Sequence, residues 1–352
     1  SEMCIRDSFN NQRHKESNGR GVKMGKKKLQ GADGINFQMQ LTIKGLETVT
    51  FPKETLTNES GKDIAWIECL GGKVSAYVNL PHAVRPNNIQ PFQLSDCIQI
   101  DLISDKVIEY MKAYLKKHMK GNYSNEILKQ LNVSSMECNI TIKCVGKCKP
   151  KDVINLFEKS VDKTFIAQEA RDKKKTFRKD QDSIIYRKDH YYRLKVYNKS
   201  KEQNDKGNPL VESNLIRVEF VFLERMLDSM YADRMSLEDI LTRKSLRKLI
   251  DQYQETFTDI CEKNIKPMLN GCVQEVFECL TTSNSGKEIS ETLYKCKECI
   301  VDVEVLRKAL KKWYAFKKQG DRSKQVIAYY RENNFGMPED VIRTVKQMHN
   351  SL

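Results

Sequence analysis

In three separate segments of this chain, polar and apolar residues alternate with a period of two, the spacing that puts side chains on opposite faces of a strand. Over 135–143, Met136, Cys138, Ile140 and Ile142 form an apolar face, and Ser135, Glu137, Asn139, Thr141 and Lys143 form the other. Over 191–199, Tyr192, Leu194 and Val196 lie on one side, with Tyr191, Arg193, Lys195, Tyr197 and Lys199 opposite. Over 216–222, Ile216, Val218, Phe220 and Phe222 point inward, and Arg217 and Glu219 point the other way. Phe37 to Ile43 also alternates. Segments 63–70 and 73–80 are β-rich around Gly71-Gly72, which predicts a hairpin. Further strands are expected at 182–188 and 214–223, with a turn through Asp205, Lys206, Gly207, Asn208 and Pro209.

Helical spacing appears at 104–119, where Ile108, Met111, Leu115 and Met119 share a face, and a helix at 150–160 opens with Lys-Pro-Lys-Asp. Residues 81–97, with three prolines and Asn87-Asn88, read as loop. Beyond about 235 the pattern turns helical. Ser236 and Asp239 make a near capping box. Leu246, Leu249, Ile250, Tyr253, Phe257 and Ile260 trace one stripe of a long helix. Helices are also expected at 301–318, 322–332 and 338–350, the last with Pro338 in its first turn. The expected class is α+β: a sheet-containing domain at 36–235, then a mostly helical region at 236–352. Residues 1–35 lack periodicity, are rich in Asn, Gly, Lys and Arg, and read as a disordered basic tail in which Met24 is a candidate start.

Composition narrows the classes. The 352 residues carry 61 Lys+Arg against 47 Asp+Glu, a formal charge of +14. Mean hydropathy is -0.62. No apolar stretch approaches the ~18 residues of a membrane span, so no membrane partner and a cytoplasmic location are expected. The positive balance favours nucleic acid as partner. The 11 cysteines are an odd number without a secretory leader, which suits a reducing compartment. The pairs Cys144/Cys148 and Cys296/Cys299 leave a zinc site open beside ordinary thiols.

If the three alternating strands are neighbours, one face gathers a phenol, cations and carboxylates. That set suits phosphoryl transfer to a tyrosine. A phenol titrates near pH 10 and is a weak nucleophile until something stabilises its phenolate. Carboxylates can hold a divalent cation that polarises the phosphate, and Lys and Arg add charge stabilisation. On this reading Tyr197 attacks, Lys199 and Lys195 support the phenolate or phosphate, and Glu137 and Glu219 hold Mg²⁺ or Mn²⁺. The plain alternative is a solvated outer sheet face.

Four segments resemble a known family. They are Val78-Asn79-Leu80-Pro81-His82-Ala83-Val84-Arg85-Pro86-Asn87-Asn88-Ile89, Ser135-Met136-Glu137-Cys138-Asn139, Arg193-Leu194-Lys195-Val196-Tyr197-Asn198-Lys199-Ser200-Lys201-Glu202, and Leu215-Ile216-Arg217-Val218-Glu219. In order and gaps they are similar to the gene II/X-type rolling-circle replication initiators of filamentous phages and related plasmids, over about 75–225. The resemblance implies an antiparallel-sheet nicking domain of the rolling-circle nuclease type. It implies metal-dependent, site- and strand-specific nicking and joining of DNA, with a 5′-phosphotyrosine intermediate and a 3′ hydroxyl left for a polymerase. The family nucleophile carries over to Tyr197, and Glu137, Arg217 and Glu219 match motif positions. The chain departs from many rolling-circle nickases in lacking two histidines around one hydrophobic residue. Metal ligation then falls to the carboxylates, with His82 or an Asn as further candidates.

Nucleic-acid contacts are expected from Lys173, Lys174, Lys175, Arg178 and Lys179 around Phe177, and from Arg193 and Lys195. Lys308, Lys311, Lys312, Lys317 and Lys318 are candidates in the helical region, where Trp313 and Tyr314 read as core. The 322–332 and 338–350 helices could form a helix-turn-helix variant. No G-x-x-x-x-G-K-[ST] loop is present, so single-stranded or supercoiled origin DNA would be opened by a host helicase and copied by a host DNA polymerase. Two alternatives stay open: a conjugative relaxase of the same chemistry, and a basic nucleic-acid-binding protein that performs none.

Overall fold

The computed structural model describes residues 30–42, 46–86, 88–119, 124–161, 182–188, 190–207, 212–231, 235–282, 286–332 and 337–351. Its frame is an eight-stranded sheet. The strands are β1 (Gln30–Gln40), β2 (Phe51–Thr57), β3 (Asp63–Leu70), β4 (Lys73–Asn79), β5 (Asn132–Lys143), β6 (Ser183–Lys188), β7 (Tyr192–Asn198) and β8 (Leu215–Leu223). Their order is β2-β3-β4-β1-β5-β8-β7-β6, and every neighbouring pair is antiparallel. The α+β class expected from the sequence is therefore present, and its three alternating segments are the adjacent strands β5, β8 and β7. The β3–β4 hairpin turns at Gly71-Gly72, both with positive φ, as the two-residue primed turn requires.

The helices are α1 (Leu80–Val84), α2 (Ile100–His118), α3 (Ser124–Gln130), α4 (Pro150–Ser160), α5 (Lys199–Asp205), α6 (Glu224–Met230) and α7 (Leu237–Ile240). They continue with α8 (Arg243–Ile260), α9 (Lys266–Thr281), α10 (Gly286–Lys295), α11 (Val303–Phe316), α12 (Ser323–Glu332) and α13 (Val341–Asn350). Helices α2, α4 and α8 lie on the sheet. They cover its apolar face, where Met136, Cys138, Ile140, Val218, Phe220 and Phe222 are fully buried. Full burial of one such side chain is worth roughly 1.5–3 kcal/mol.

The stripe of α8 behaves as its spacing predicts: Leu246, Leu249, Ile250, Tyr253, Phe257 and Ile260 are all buried. Two polar contacts lock its seating. Tyr253 donates its hydroxyl to the carbonyl of Val218 at 3.0 Å, and Gln30 Nε2 donates to the carbonyl of Ile250 at 3.3 Å. The capping box of Ser236 and Asp239 is formed, although it opens only the short α7. Beyond Ile260 the chain passes through a π-helical turn, Cys261–Ile265, into α9. Pro267 stands in the first turn of α9. Proline lacks an N–H and crowds the preceding turn, and the wider π turn accommodates it without ending the rod.

The structure differs from the sequence reading at several places. Residues 30–35, read as the end of a tail, are the buried first half of β1; residues 1–29 lie outside the described residues. Strand β2 was not expected. The 81–97 segment contains α1 and a 3₁₀ turn, Leu94–Gln99. Lys199 does not continue strand β7, because Asn198 accepts a hydrogen bond from the Lys201 N–H and starts α5 there. Helix α13 starts at Val341, so Pro338 precedes it, and Asp340 occupies the left-handed N-cap position. Trp313 and Tyr314 are buried against each other in α11, as expected, while Lys308, Lys311 and Lys312 are exposed. Among the described residues, no helix is long and apolar enough to cross a membrane.

Candidate active site

The polar residues of β5, β8 and β7 meet because the register pairs them directly. Asn139 and Lys195 flank Glu219 on opposite sides, Thr141 and Tyr197 flank Arg217, and Glu137 lies beside Val221. Strand β1 adds a residue that the sequence reading missed. Between Ala32 and Ile35 the β1–β5 register shifts, and the irregularity carries Asp33 into the cluster. Ligand oxygens of Asp33, Glu137 and Glu219 all lie within 4.8 Å of one another.

This is not a solvated outer face. Arg217 is fully buried, and Asn139 and Thr141 are too. The Arg217 guanidinium makes four hydrogen bonds: Nε donates to Thr141 Oγ1 at 2.7 Å, Nη1 to Asp33 Oδ2 at 3.0 Å, and Nη2 to the carbonyls of Asn88 and of Ile89, the latter at 2.9 Å. Asn139 Nδ2 also donates to Asp33 Oδ2, at 3.1 Å. Arg217 therefore fixes Asp33 and clamps the 88–89 loop across the end of the site. The loop is pinned a second time by the Ala32–Phe92 bridge, with N–O distances of 2.9 and 2.8 Å.

Tyr197 is half-buried and donates its hydroxyl to Glu219 Oε2 at 3.1 Å. Burial first, then Glu219, pushes the phenol well above its ordinary range despite the opposing Arg217. The sequence reading had a cation stabilising a phenolate; the structure instead sets a neutral phenol against a carboxylate acceptor. Burial opposes ionisation of Glu219, but Lys195 at 2.6 Å, Arg217 and the Tyr197 hydroxyl outweigh it and hold the carboxyl low. Glu137 goes the other way. Burial and the neighbouring Glu219 raise it to about 7, and Lys195, 3.8 Å away, offsets this only in part. Asp33 is raised by burial and Glu219 against the pull of Arg217.

Lys199 is fully buried in the first turn of α5, its Nζ donating to Asn88 Oδ1 at 3.1 Å and pairing with Glu202 at 2.6 Å. It lies 5.8 Å from the centre of the Tyr197 ring. Burial and Arg217 lower its ammonium to about 8, with Glu202 and Asp33 opposing. Three other tyrosines of β6 and β7 or the turn between them stand apart from the cluster. Tyr186 is buried opposite Leu194 on the core face, Tyr192 packs edge-on against Phe220, and Tyr191 is exposed before β7.

A divalent cation fits this donor set on two observations. Three carboxylates are hard oxygen ligands of the kind Mg²⁺ and Mn²⁺ take. Asp33 Oδ1 is also a buried oxygen with no hydrogen-bond partner, an expensive state that a cation would relieve. His82 is outside the group: its Nδ1 faces the carbonyl of Asp63 at 2.9 Å. The cysteine pairs are not brought together, and the described residues contain no Cys/His group of metal-binding geometry. Cys144 and Cys148 neighbour each other near Thr344, while Cys296 neighbours Cys279. Among the expected DNA contacts, Arg193 is exposed on β7 and Lys195 is tied to Glu219 and Glu137. Lys173, Lys174, Lys175, Arg178 and Lys179 lie outside the described residues.

One more phenol borders the cluster. Tyr77 on β4 lies opposite Asn36, and its hydroxyl occupies the space above Gly34, where a Cβ would meet it at 2.2 Å. Burial raises its ionisation well above the ordinary value, and Glu137, Asp33 and Glu219 add to the rise. Asp33 was hidden in sequence by a stretch without alternation. Tyr77 was readable, since the hairpin register about Gly71-Gly72 pairs it with Trp66. Comparison with protein families and with curated proteins finds no match for this chain.

Proposed function

We propose that this chain is a metal-dependent tyrosine DNA nickase and strand transferase, acting as a rolling-circle replication initiator. The observation that carries the reading is the Tyr197 hydroxyl held 3.1 Å from Glu219 Oε2, inside a group of three carboxylates with converging oxygens. In the proposed step Tyr197 Oη bonds to the phosphorus of a single-stranded phosphodiester and the bond from phosphorus to O3′ breaks. The phenolic proton passes to Glu219 Oε2 as the new bond forms, because prior ionisation is disfavoured in this environment. The departing O3′ takes up a proton, for which Lys199, with its ammonium 5.8 Å from the centre of the Tyr197 ring, is the proposed donor. The product is a 5′-phosphotyrosine and a free 3′ hydroxyl, and the reverse step reseals a strand. Asp33, Glu137 and Glu219 would hold Mg²⁺ or Mn²⁺, which when bound supplies polarisation and charge neutralisation at the phosphate. Arg217 is a positioning residue in this scheme, since four of its five N–H donors go to Asp33, Thr141 and the 88–89 loop.

The test is a covalent adduct between the chain and origin DNA in the presence of Mn²⁺. Tyr197→Phe removes the adduct and keeps binding. An adduct unchanged in that variant moves the nucleophile elsewhere. The non-catalytic reading is favoured by one observation: Lys195 already neutralises Glu219 and approaches Glu137. It predicts DNA binding without an adduct on any origin sequence.

A further inference from the structure

The half of the sheet beyond β1 carries aromatic rings that the fold does not use. Trp66 on β3 and Tyr77 on β4 are directly paired on the face that bears the carboxylates. Their rings lie 6.1 Å apart, inclined by 25°. Both are only partly exposed, and neither belongs to the contiguous hydrophobic core, which takes Ala65, Ile67, Ala76 and Val78 from the opposite face of the same strands. Lys53 of β2 rests its ammonium over the Trp66 ring, 4.5 Å from the centroid. Around the pair the face is polar: Thr55, Gln38 and Lys73 are exposed, Asn36 and Ser75 half-buried, Glu68 shares the face on β3, and Glu137, Asp33 and Glu219 are close enough to act on the Tyr77 hydroxyl.

We infer that Trp66 and Tyr77 are a stacking platform that receives the bases of single-stranded DNA and leads the strand across the sheet to Tyr197. Three features select this occupant. Any base can stack on an exposed aromatic ring, whatever its sequence. Lys53 covers that ring as a removable cation; a base can take its place while the ammonium turns to a phosphate. The platform is also continuous with the carboxylate cluster, since the Tyr77 hydroxyl sits over Gly34, next to Asp33. Four strand steps separate β4 from β7, which is about 19 Å at ~4.8 Å per step, or roughly four to six nucleotides. The inference rests on the proposed nickase reading, in which the substrate is a single strand, but its own residues take no part in the chemistry.

The chain has two tryptophans, and the other, Trp313, is buried in α11. Trp313 also emits but is shielded from a bound base, so quenching by a stacked base reports Trp66. The titrant is a 15-nucleotide oligo(dT) in EDTA, with binding followed in parallel by anisotropy of the labelled oligonucleotide. Expected are quenching of the parent signal, its loss in Trp66→Phe, and retention in Tyr197→Phe. Trp66→Ala and Tyr77→Ala should each weaken binding about tenfold, the effect of one lost base–ring stack. Lys53→Met should lower the slope of log affinity against log salt by about 0.7. Oligonucleotide binding with unchanged fluorescence, or with equal affinity in both alanine variants, overturns the platform and leaves the tyrosine chemistry standing. Quenching as described, with no adduct on any DNA, removes the nickase reading and keeps the platform. Preference for oligo(U) over oligo(dT) overturns the assignment to DNA. Absence of all oligonucleotide binding by a folded protein overturns both.

Discussion

Replacing Glu137 by Gln removes a carboxyl whose charged form the site disfavours. Burial and Glu219 raise it from the ordinary 4.5 to about 7, with Asp33 adding and Lys195 and Arg193 opposing. Between those two values the folded chain keeps a proton that the unfolded chain has lost. Stability therefore falls as pH rises from about 4.5 to about 7 and stays lowered above that. A displacement of this size corresponds to about 3 kcal/mol. The side chain retains 19% exposure and makes a 3.8 Å contact with Lys195 that an amide loses, so the net gain for Glu137→Gln at pH 8 is about 1–2 kcal/mol. Urea unfolding in EDTA at pH 5 and pH 8 measures it. The variant should match the parent at pH 5 and exceed it at pH 8, and Mn²⁺ at pH 8 should stabilise the parent more than the variant. A variant weaker than the parent at pH 8, or the same gap at both pH values, refutes the electrostatics argued for this cluster.

Arg217→Met strands the Asp33 carboxyl in the interior and should cost about 3–5 kcal/mol in thermal or urea unfolding; an unchanged midpoint contradicts the clamp. Gly31→Ala places a Cβ 2.1 Å from the Phe92 carbonyl oxygen. It should break the Ala32–Phe92 bridge at a cost of about 1–3 kcal/mol and speed proteolysis in the 85–93 segment, and unaltered cleavage counts against that pinning. Lys199 loses its proton through about pH 8. Adduct formation should therefore decline above that pH, and a profile flat to pH 9.5 takes Lys199 out of the reaction.

The portion of the site that was legible in sequence is the portion built on uninterrupted pleat. Alternation in β5, β7 and β8 put Glu137, Lys195, Tyr197, Arg217 and Glu219 on one face because a regular strand leaves each residue no other side. It could not say that the face would be closed: the buried state of Arg217 depends on the 88–89 loop, which is distant in sequence. Asp33 was missed because the strand is irregular where it enters the cluster, and two glycines there erase the hydrophobic pattern. Lys199 was misplaced because the Asn198 cap ends the strand one residue earlier than periodicity suggests. The helical stripe of α8 was read correctly for the same reason as the strands, whereas the π turn that carries it into α9 leaves no periodic signature. Trp66 and Tyr77 were visible as strand residues, but their exposure depends on which face the helices cover.

The most direct measurement is mass spectrometry of the peptide that remains linked to DNA. The full chain is incubated with single-stranded DNA from the intergenic regions flanking its own gene and Mn²⁺, then digested with nuclease and protease. The account predicts a nucleotide joined through its 5′ phosphate to the peptide containing Tyr197, absent in Tyr197→Phe and in Glu219→Gln. Linkage to a different tyrosine, or intact DNA under every metal tested, contradicts it.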